Sequence, residues 1–277
     1  MVEYPTSLNE ALNELNKNKY TIYAGGTDLM VKKRNWVNLP VKSDYPLMFI
    51  SHLKELNTIS ESEKLYHIPS CVTQTQMIES EILPDIFKTV VKEMSSPAIR
   101  NVATIGGNII NSSPAGDLLP LLYVYDAVLI LKSVNREREI PIENFITGPG
   151  KNILKDNEIL KEILIPKLRF NNNYYKKVAS RKANALSKVS FVMCLNIEGK
   201  VVTDFRMAFG AVAPTVIRTR NIEKDYIEKP KDLLKIKSEE IWEKYKEFVS
   251  PINDQRSTAN YRERVTKNLI EYYLGSL

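Results

Sequence analysis

Apolar residues first recur at helical spacing at Leu8, Ala11, Leu12 and Leu15. The stretch Thr6-Ser7-Leu8-Asn9-Glu10 just before them supplies a capping box, Ser7 with Glu10 three residues on. Lys19-Tyr20-Thr21-Ile22-Tyr23 reads as a strand, since β-branched and aromatic side chains suit a pleated, half-buried surface. It runs into a glycine pair and then a short helix from Asp28, and residues 38–46 read as irregular connection. Residues 49–77 alternate short apolar runs with polar turns, and Thr73 with Gln76 marks another capped helix. Pro84 opens a helix with Ile86, Phe87, Val90, Val91 and Met94 on one stripe, ended by Ser95-Ser96-Pro97.

Residues 118–127 are apolar and read as partly helical, whereas 128–131 and 162–165 read as strands. The character changes near Asn171-Asn172-Asn173, which reads as a linker. Beyond it, strands 190–197 and 201–209 are joined at Glu198-Gly199-Lys200 as a hairpin. Two amphipathic helices close the chain, one lined by Ile241, Tyr245 and Phe248, the other by Tyr261, Val265, Leu269 and Tyr272. Helices and strands do not alternate strictly, so the expected class is α+β with a separate C-terminal sheet-and-helix domain. This divides the chain into 1–170 and 171–277.

The chain has 277 residues, 43% hydrophobic and 26% charged, so a large core is available without disulfides or metals. Its formal charge is +6. The lysines are interleaved with acids, as in Glu239-Glu240-Ile241-Trp242-Glu243-Lys244, which describes a solvated helix face and not a nucleic-acid surface. The two cysteines, Cys71 and Cys194, lie far apart in apolar surroundings and read as packing residues. Two cysteines cannot hold an iron–sulfur cluster, and His52 and His67 stand in no ligand cluster. Few cysteines and no transmembrane-length apolar run lead to the expectation of a cytoplasmic protein without a membrane span.

Two glycine-rich loops lie about eighty residues apart, Tyr23-Ala24-Gly25-Gly26-Thr27-Asp28-Leu29 and Ala103-Thr104-Ile105-Gly106-Gly107-Asn108. Each follows an apolar run that reads as a strand, and each sets two glycines beside a threonine. Main-chain N–H groups in tight turns form anion-binding nests, and glycine allows both positive φ and close approach of phosphate oxygens. Two facing loops would suit a diphosphate, with the Thr27 and Thr104 hydroxyls as further donors. Asp28 would cap the next helix or orient the loop, since its carboxylate would repel phosphate. Asp117 would accept from ribose or ribityl hydroxyls, cap the helix at Leu118, or both. Neither loop fits GxGxxG or GxxxxGK[ST].

At these loops the chain resembles the FAD-binding medium subunit of the molybdenum hydroxylases, which include xanthine, carbon monoxide and nicotinate dehydrogenases and aldehyde oxidoreductases. The resemblance extends to the loop 112–120, to Ala179-Ser180-Arg181-Lys182-Ala183, to Phe209-Gly210-Ala211-Val212-Ala213-Pro214-Thr215 and to Asp254-Gln255-Arg256-Ser257-Thr258-Ala259-Asn260-Tyr261-Arg262. It implies a two-part FAD-binding domain of the PCMH type (about 1–55 and 56–170) followed by the C-terminal α+β domain. Residues 23–29 and 104–108 would then bind the FAD diphosphate, Asp117 the sugar chain, and Leu160 and Lys177 the flavin ring. Without a histidine in either loop, FAD would be non-covalent. Unlike the benzoyl-CoA reductase branch, residues 32–49 contain no cysteine for an extra cluster. A large molybdopterin subunit and a small subunit with two [2Fe–2S] clusters would complete a dimer of heterotrimers, with electrons leaving the FAD for NAD, oxygen or another acceptor. The rival readings are a self-contained FAD-dependent alcohol oxidase, with Tyr174, Tyr175 and Lys177 over the flavin, and a flavin-free phosphate-binding or assembly module.

Overall fold

A computed structural model describes residues 2–39 and 42–277. The irregular stretch 38–46 is neither helix nor strand where it is described, and Pro40 and Val41 lie outside the described residues. The chain forms two compact units. The first takes the residues up to Leu83, then Ser95–Ser112 and Ala127–Lys167; the second takes Pro84–Met94, Ser113–Asp126 and Leu168–Leu277. Two segments from the first half of the sequence thus belong to the second unit.

The first unit contains two main sheets. A parallel sheet orders Val2–Glu3, Leu47–Phe49 and Thr21–Tyr23. The helix Leu8–Lys17 belongs to the same core, burying the predicted stripe of Leu8, Ala11, Leu12 and Leu15 with Met48, Ile50 and Leu53. Its capping box is displaced by one residue. Ser7 accepts from the Glu10 N–H, but Glu10 Oε2 accepts from the Thr6 N–H at 2.7 Å. An antiparallel sheet orders Ser60–Glu61, Leu65–Pro69, Ile159–Pro166, Val128–Lys132 and Glu137–Pro141. The helix Gln74–Glu79 has the predicted reciprocal cap, Thr73 with Gln76.

The second unit is built on one antiparallel sheet, Asn172–Ala179, Ser187–Glu198, Val201–Gly210 and Ile217–Arg218. The expected linker is corrected here, because Asn172 and Asn173 open a strand paired with Leu195 and Cys194. The central hairpin turns at Gly199 with φ 61°. The closing helices Ser238–Lys246 and Ala259–Gly275 share a core with Phe191, Phe205 and Phe209 through Trp242, Tyr245 and Ile270. The expected helix faces shift, since Phe248 and Tyr272 are exposed while Arg262 and Thr266 are buried.

Arg262 donates from Nη1 to the carbonyls of Lys188 and Ala211 and from Nη2 to Asp254 Oδ1 at 2.9 Å, while its buried Nε meets no acceptor among the described residues. Burial alone would raise the Asp254 carboxyl, but the N–H groups of Arg256 and Ser257 and the Arg262 guanidinium outweigh it and hold the carboxyl near about 2. A depressed carboxyl stabilises the fold fully above its ordinary value, and the contribution is lost as pH falls through that value toward 2. Acid titration should therefore destabilise Asp254→Asn less than wild type between pH 4 and pH 2, read as the pH dependence of the urea midpoint. Parallel curves for the two proteins would refute this.

Candidate functional site

The first glycine loop leaves the strand Thr21–Tyr23 and enters the short helix Leu29–Lys32. Gly26 has φ 69°, and a Cβ there would stand 2.4 Å from the Tyr23 ring. Only glycine meets both conditions. The Gly26 carbonyl accepts from the Met30 N–H, and Tyr23 O accepts from Ile50 N–H. The N–H groups of Ala24, Gly25, Gly26, Thr27, Asp28 and Leu29 meet no acceptor among the described residues. Six successive main-chain donors without a protein partner need an acceptor from outside the chain or from solvent, and donors in so tight a turn are the raw material of an anion-binding nest.

The second glycine segment departs from expectation. No strand precedes it; the helix Pro97–Arg100 does, capped by Ser96. Gly106 and Gly107 lie in the first turn of the helix Ile105–Ile110, with Thr104 as its N-cap. Its donors are engaged internally. Ile105 donates to Val72 O, Gly106 to Ser70 O, Gly107 to Thr104 Oγ1 and Asn108 to Thr104 O. Thr104 Oγ1 accepts the cap bond and keeps its O–H as a donor, but the expected second cradle of free N–H groups is not there. Gly106 is glycine for packing, since a Cβ would stand 2.6 Å from the Ser70 carbonyl oxygen.

The two segments nevertheless meet. A Cβ on Gly25 would stand 1.8 Å from the Val102 carbonyl oxygen, so the first loop lies directly against the chain leading into the second. Sequence reasoning missed the residue that ties them, Asn111. Its Nδ2 donates to Asp28 Oδ2 at 3.1 Å, and its Oδ1 accepts from Lys32 Nζ. Asp28 makes no side-chain cap bond, so of its two expected roles the helix cap is corrected to loop orientation. Asn111→Ala should release the first loop and lower ligand retention several-fold while leaving the melting temperature within a few degrees, because all three side chains of the tie are at least partly exposed. Equal retention by the variant in equilibrium dialysis would remove Asn111 from the site.

Asn108 Oδ1 is buried without a protein partner, as are Ser70 Oγ and Gln74 Oε1 close by in the chain's fold. A carboxamide offers an acceptor at one end and two donors at the other, so Asn108 suits a hydroxyl or, turned over, a phosphate oxygen. The donor set of residues 24–29 with Asn108 fits an anionic nucleotide. Cys71, by contrast, is inert. Burial pushes its thiol up to about 12, and Cys194 moves in the same direction for the same reason.

Leu160 is 3% exposed and sits in the strand Ile159–Pro166 of the first unit, beside a register shift between Leu160 and Glu162. Asp117 and Lys177 lie in the second unit, where they meet each other. Lys177 Nζ donates to Asp117 Oδ2 at 2.7 Å and to Glu93 O at 3.1 Å, and Ser187 Oγ donates to Asp117 Oδ1. Asp117 precedes the helix Leu118–Val124 but makes no cap bond to it. Burial pushes the Asp117 carboxyl up, and the Lys177 ammonium pulls it part of the way back. Burial also drives the Tyr175 phenol well above its ordinary value, so this group stays protonated. Tyr175 and Lys177 are thus an unpromising pair for the base an alcohol oxidase requires.

Among the described residues no group of three or more histidine, cysteine, aspartate or glutamate side chains is placed to hold a metal ion, and no helix is long and apolar enough to cross a membrane. The profile of the FAD binding domain in molybdopterin dehydrogenase matches residues 2–168, and that of the CO dehydrogenase flavoprotein C-terminal domain matches 173–277. The chain is 32% identical over 279 residues to the xanthine dehydrogenase FAD-binding subunit of Escherichia coli O157:H7, covering 95% of this chain and 92% of that one. It is 29% identical over 269 residues to the glyceraldehyde dehydrogenase medium chain of Sulfolobus acidocaldarius, with the same coverages. Its fold superposes with TM-score 0.86 and 24% identity on a chain of carbon monoxide dehydrogenase from Hydrogenophaga pseudoflava, covering 98% and 95% of the two chains. With both halves matched by the family's profiles and a 32% identical relative covered over nearly its whole length, this chain belongs to the FAD-binding medium subunits of the molybdenum hydroxylases.

Proposed function

We propose that the first unit holds the FAD diphosphate on the N–H groups of residues 24–29 and that the chain carries electrons between partner chains. The observation that carries this reading is the row of six main-chain donors with no protein acceptor. Hydrogen bonds to a charged group contribute about 1.5–3 kcal/mol each, so a few of them hold a dinucleotide without covalent attachment. Bound FAD supplies the exchange of electrons between two-electron and one-electron carriers. The chain's part is to fix it: Gly25 and Gly26 admit the diphosphate to the main chain, Asp28 with Asn111 sets the loop, and Asn108 takes a sugar hydroxyl or a phosphate oxygen. Asp117, Leu160 and Lys177 remain proposed contacts of the sugar chain and flavin ring, each with a packing role as well.

In this proposal a large molybdopterin subunit oxidises the substrate, a small subunit with two [2Fe–2S] clusters passes the electrons on, and NAD, oxygen or another acceptor receives them from the FAD. The trimer, its pairing into a dimer and a cytoplasmic location belong to the same reading. The chain purified from its own organism should carry flavin absorption and bring an iron–sulfur chain and a molybdenum chain with it. A colourless protein that stays colourless with added FAD sinks the cofactor reading; a yellow protein that purifies alone sinks the complex. Direct flavin reduction by a simple alcohol would favour the oxidase instead.

A further inference from the structure

Immediately after the first glycine loop the chain makes a closed excursion whose exposed tip lies outside the buried core. Its ends are joined by the Lys42 N–H donating to Lys33 O at 2.9 Å, and its tip is tightened by the Leu39 N–H donating to Trp36 O at 3.1 Å. The tip presents apolar side chains to solvent, with Trp36 81% and Val37 88% exposed, followed by Leu39 and preceded by Val31. Between Asp28 and Asp44 the sequence places Lys32, Lys33, Arg34 and Lys42 and no acid. An exposed indole on a compact loop whose only charged residues are cations is a combination that isolated surfaces avoid and interfaces concentrate. Tryptophan and arginine are the residue types that carry most binding energy at protein contacts.

We propose that residues 31–39 together with Lys42 form the docking surface for a partner protein chain that offers carboxylates around an apolar hollow. A second copy of this chain does not fit, because a two-fold contact would set the same basic loop against itself. A lipid surface fits less well. Lys32 is already tied to Asn111 and Lys33 to Asp44 at 3.4 Å, and the apolar residues sit on a loop tip instead of along a helix face. The surface is small beside a standard interface of about 800 Å² per partner, so it is the centre of a larger contact or the whole of a salt-sensitive one.

The test replaces Val37 with photoreactive benzoylphenylalanine in the full-length chain, expressed in its own organism and illuminated there. The expected product is one adduct to a different chain, joined within a peptide rich in Asp and Glu. Its yield should fall several-fold in Lys33→Glu/Arg34→Glu and, with the charges left native, on raising salt during illumination of a native extract. The salt arm needs no further substitution, so a misfolded double variant does not rescue the idea. Adducts only to another copy of this chain, adducts to a peptide without acids, the absence of any adduct, or a yield indifferent to salt each overturn it. So does retention of the wild-type chain on phosphatidylglycerol vesicles that Trp36→Ser loses, together with no protein adduct. None of these readouts requires bound flavin, so failure here and failure of the cofactor reading are distinguishable.

Discussion

Gly25→Ala should purify colourless. The added methyl would sit 1.8 Å from the Val102 carbonyl oxygen, well inside any allowed contact, and that oxygen belongs to main chain that cannot swing aside. The first loop must then lift off the second segment, which moves its row of N–H donors together. Misplacing two charge-assisted bonds of about 1.5–3 kcal/mol each weakens FAD binding by about 100-fold or more. The overpacking itself costs about 1–3 kcal/mol of stability. Gly107→Ala is the contrasting case. The nearest atom to its Cβ is Thr104 Oγ1 at 3.0 Å, and its N–H is already committed to the helix cap, so retention should stay within a few-fold of wild type. Fluorescence titration of the two apoproteins with FAD separates these outcomes. Equal loss in both would mean that the second segment, not the first, is the diphosphate cradle.

That asymmetry could not be read from the sequence, where the two glycine pairs look alike. Ala103-Thr104-Ile105 carries β-branched residues of a strand entering a loop, and paired glycines are poor helix formers. The segment is a helix because Ser70 and Val72, more than thirty residues upstream, accept its first N–H groups, and a local reading cannot see distant acceptors. The same limit applies to the last helix. Its apolar stripe pointed to Tyr261, Val265, Leu269 and Tyr272, yet the inward face includes Arg262 and Thr266, polar residues whose bonds to Lys188 O, Ala211 O and Arg262 O permit burial. Where a cap, a first-turn proline or an apolar period marked the start, as for Leu8–Lys17, Gln74–Glu79 and Asp85–Lys92, the elements were legible because the signals are local. The family was legible for another reason. A ligand-binding loop must keep particular residues in sequence order, whereas the side chains that tie it, such as Asn111, can come from any neighbouring element.

Lys177→Met should strongly destabilise the second unit. Lys177 and Asp117 have side chains only 4% and 8% exposed, 2.7 Å apart. Removing one partner leaves a buried carboxylate with Ser187 alone, and breaking such a pair costs about 3–5 kcal/mol. The double variant Asp117→Asn/Lys177→Met removes both charges and should recover much of that loss, since the desolvation of each ion is no longer opposed to folding. Urea unfolding of the four proteins in the cycle measures the coupling. FAD titration of the same four proteins then divides the two roles proposed for these residues. If they act only through packing, affinity follows stability and returns in the double variant. If they contact the sugar chain and flavin ring, the double variant regains its unfolding midpoint while its FAD affinity stays low. A double variant as unstable as Lys177→Met would show that the charges are not the source of the cost, and the buried ion pair would cease to explain why these two residues occur together.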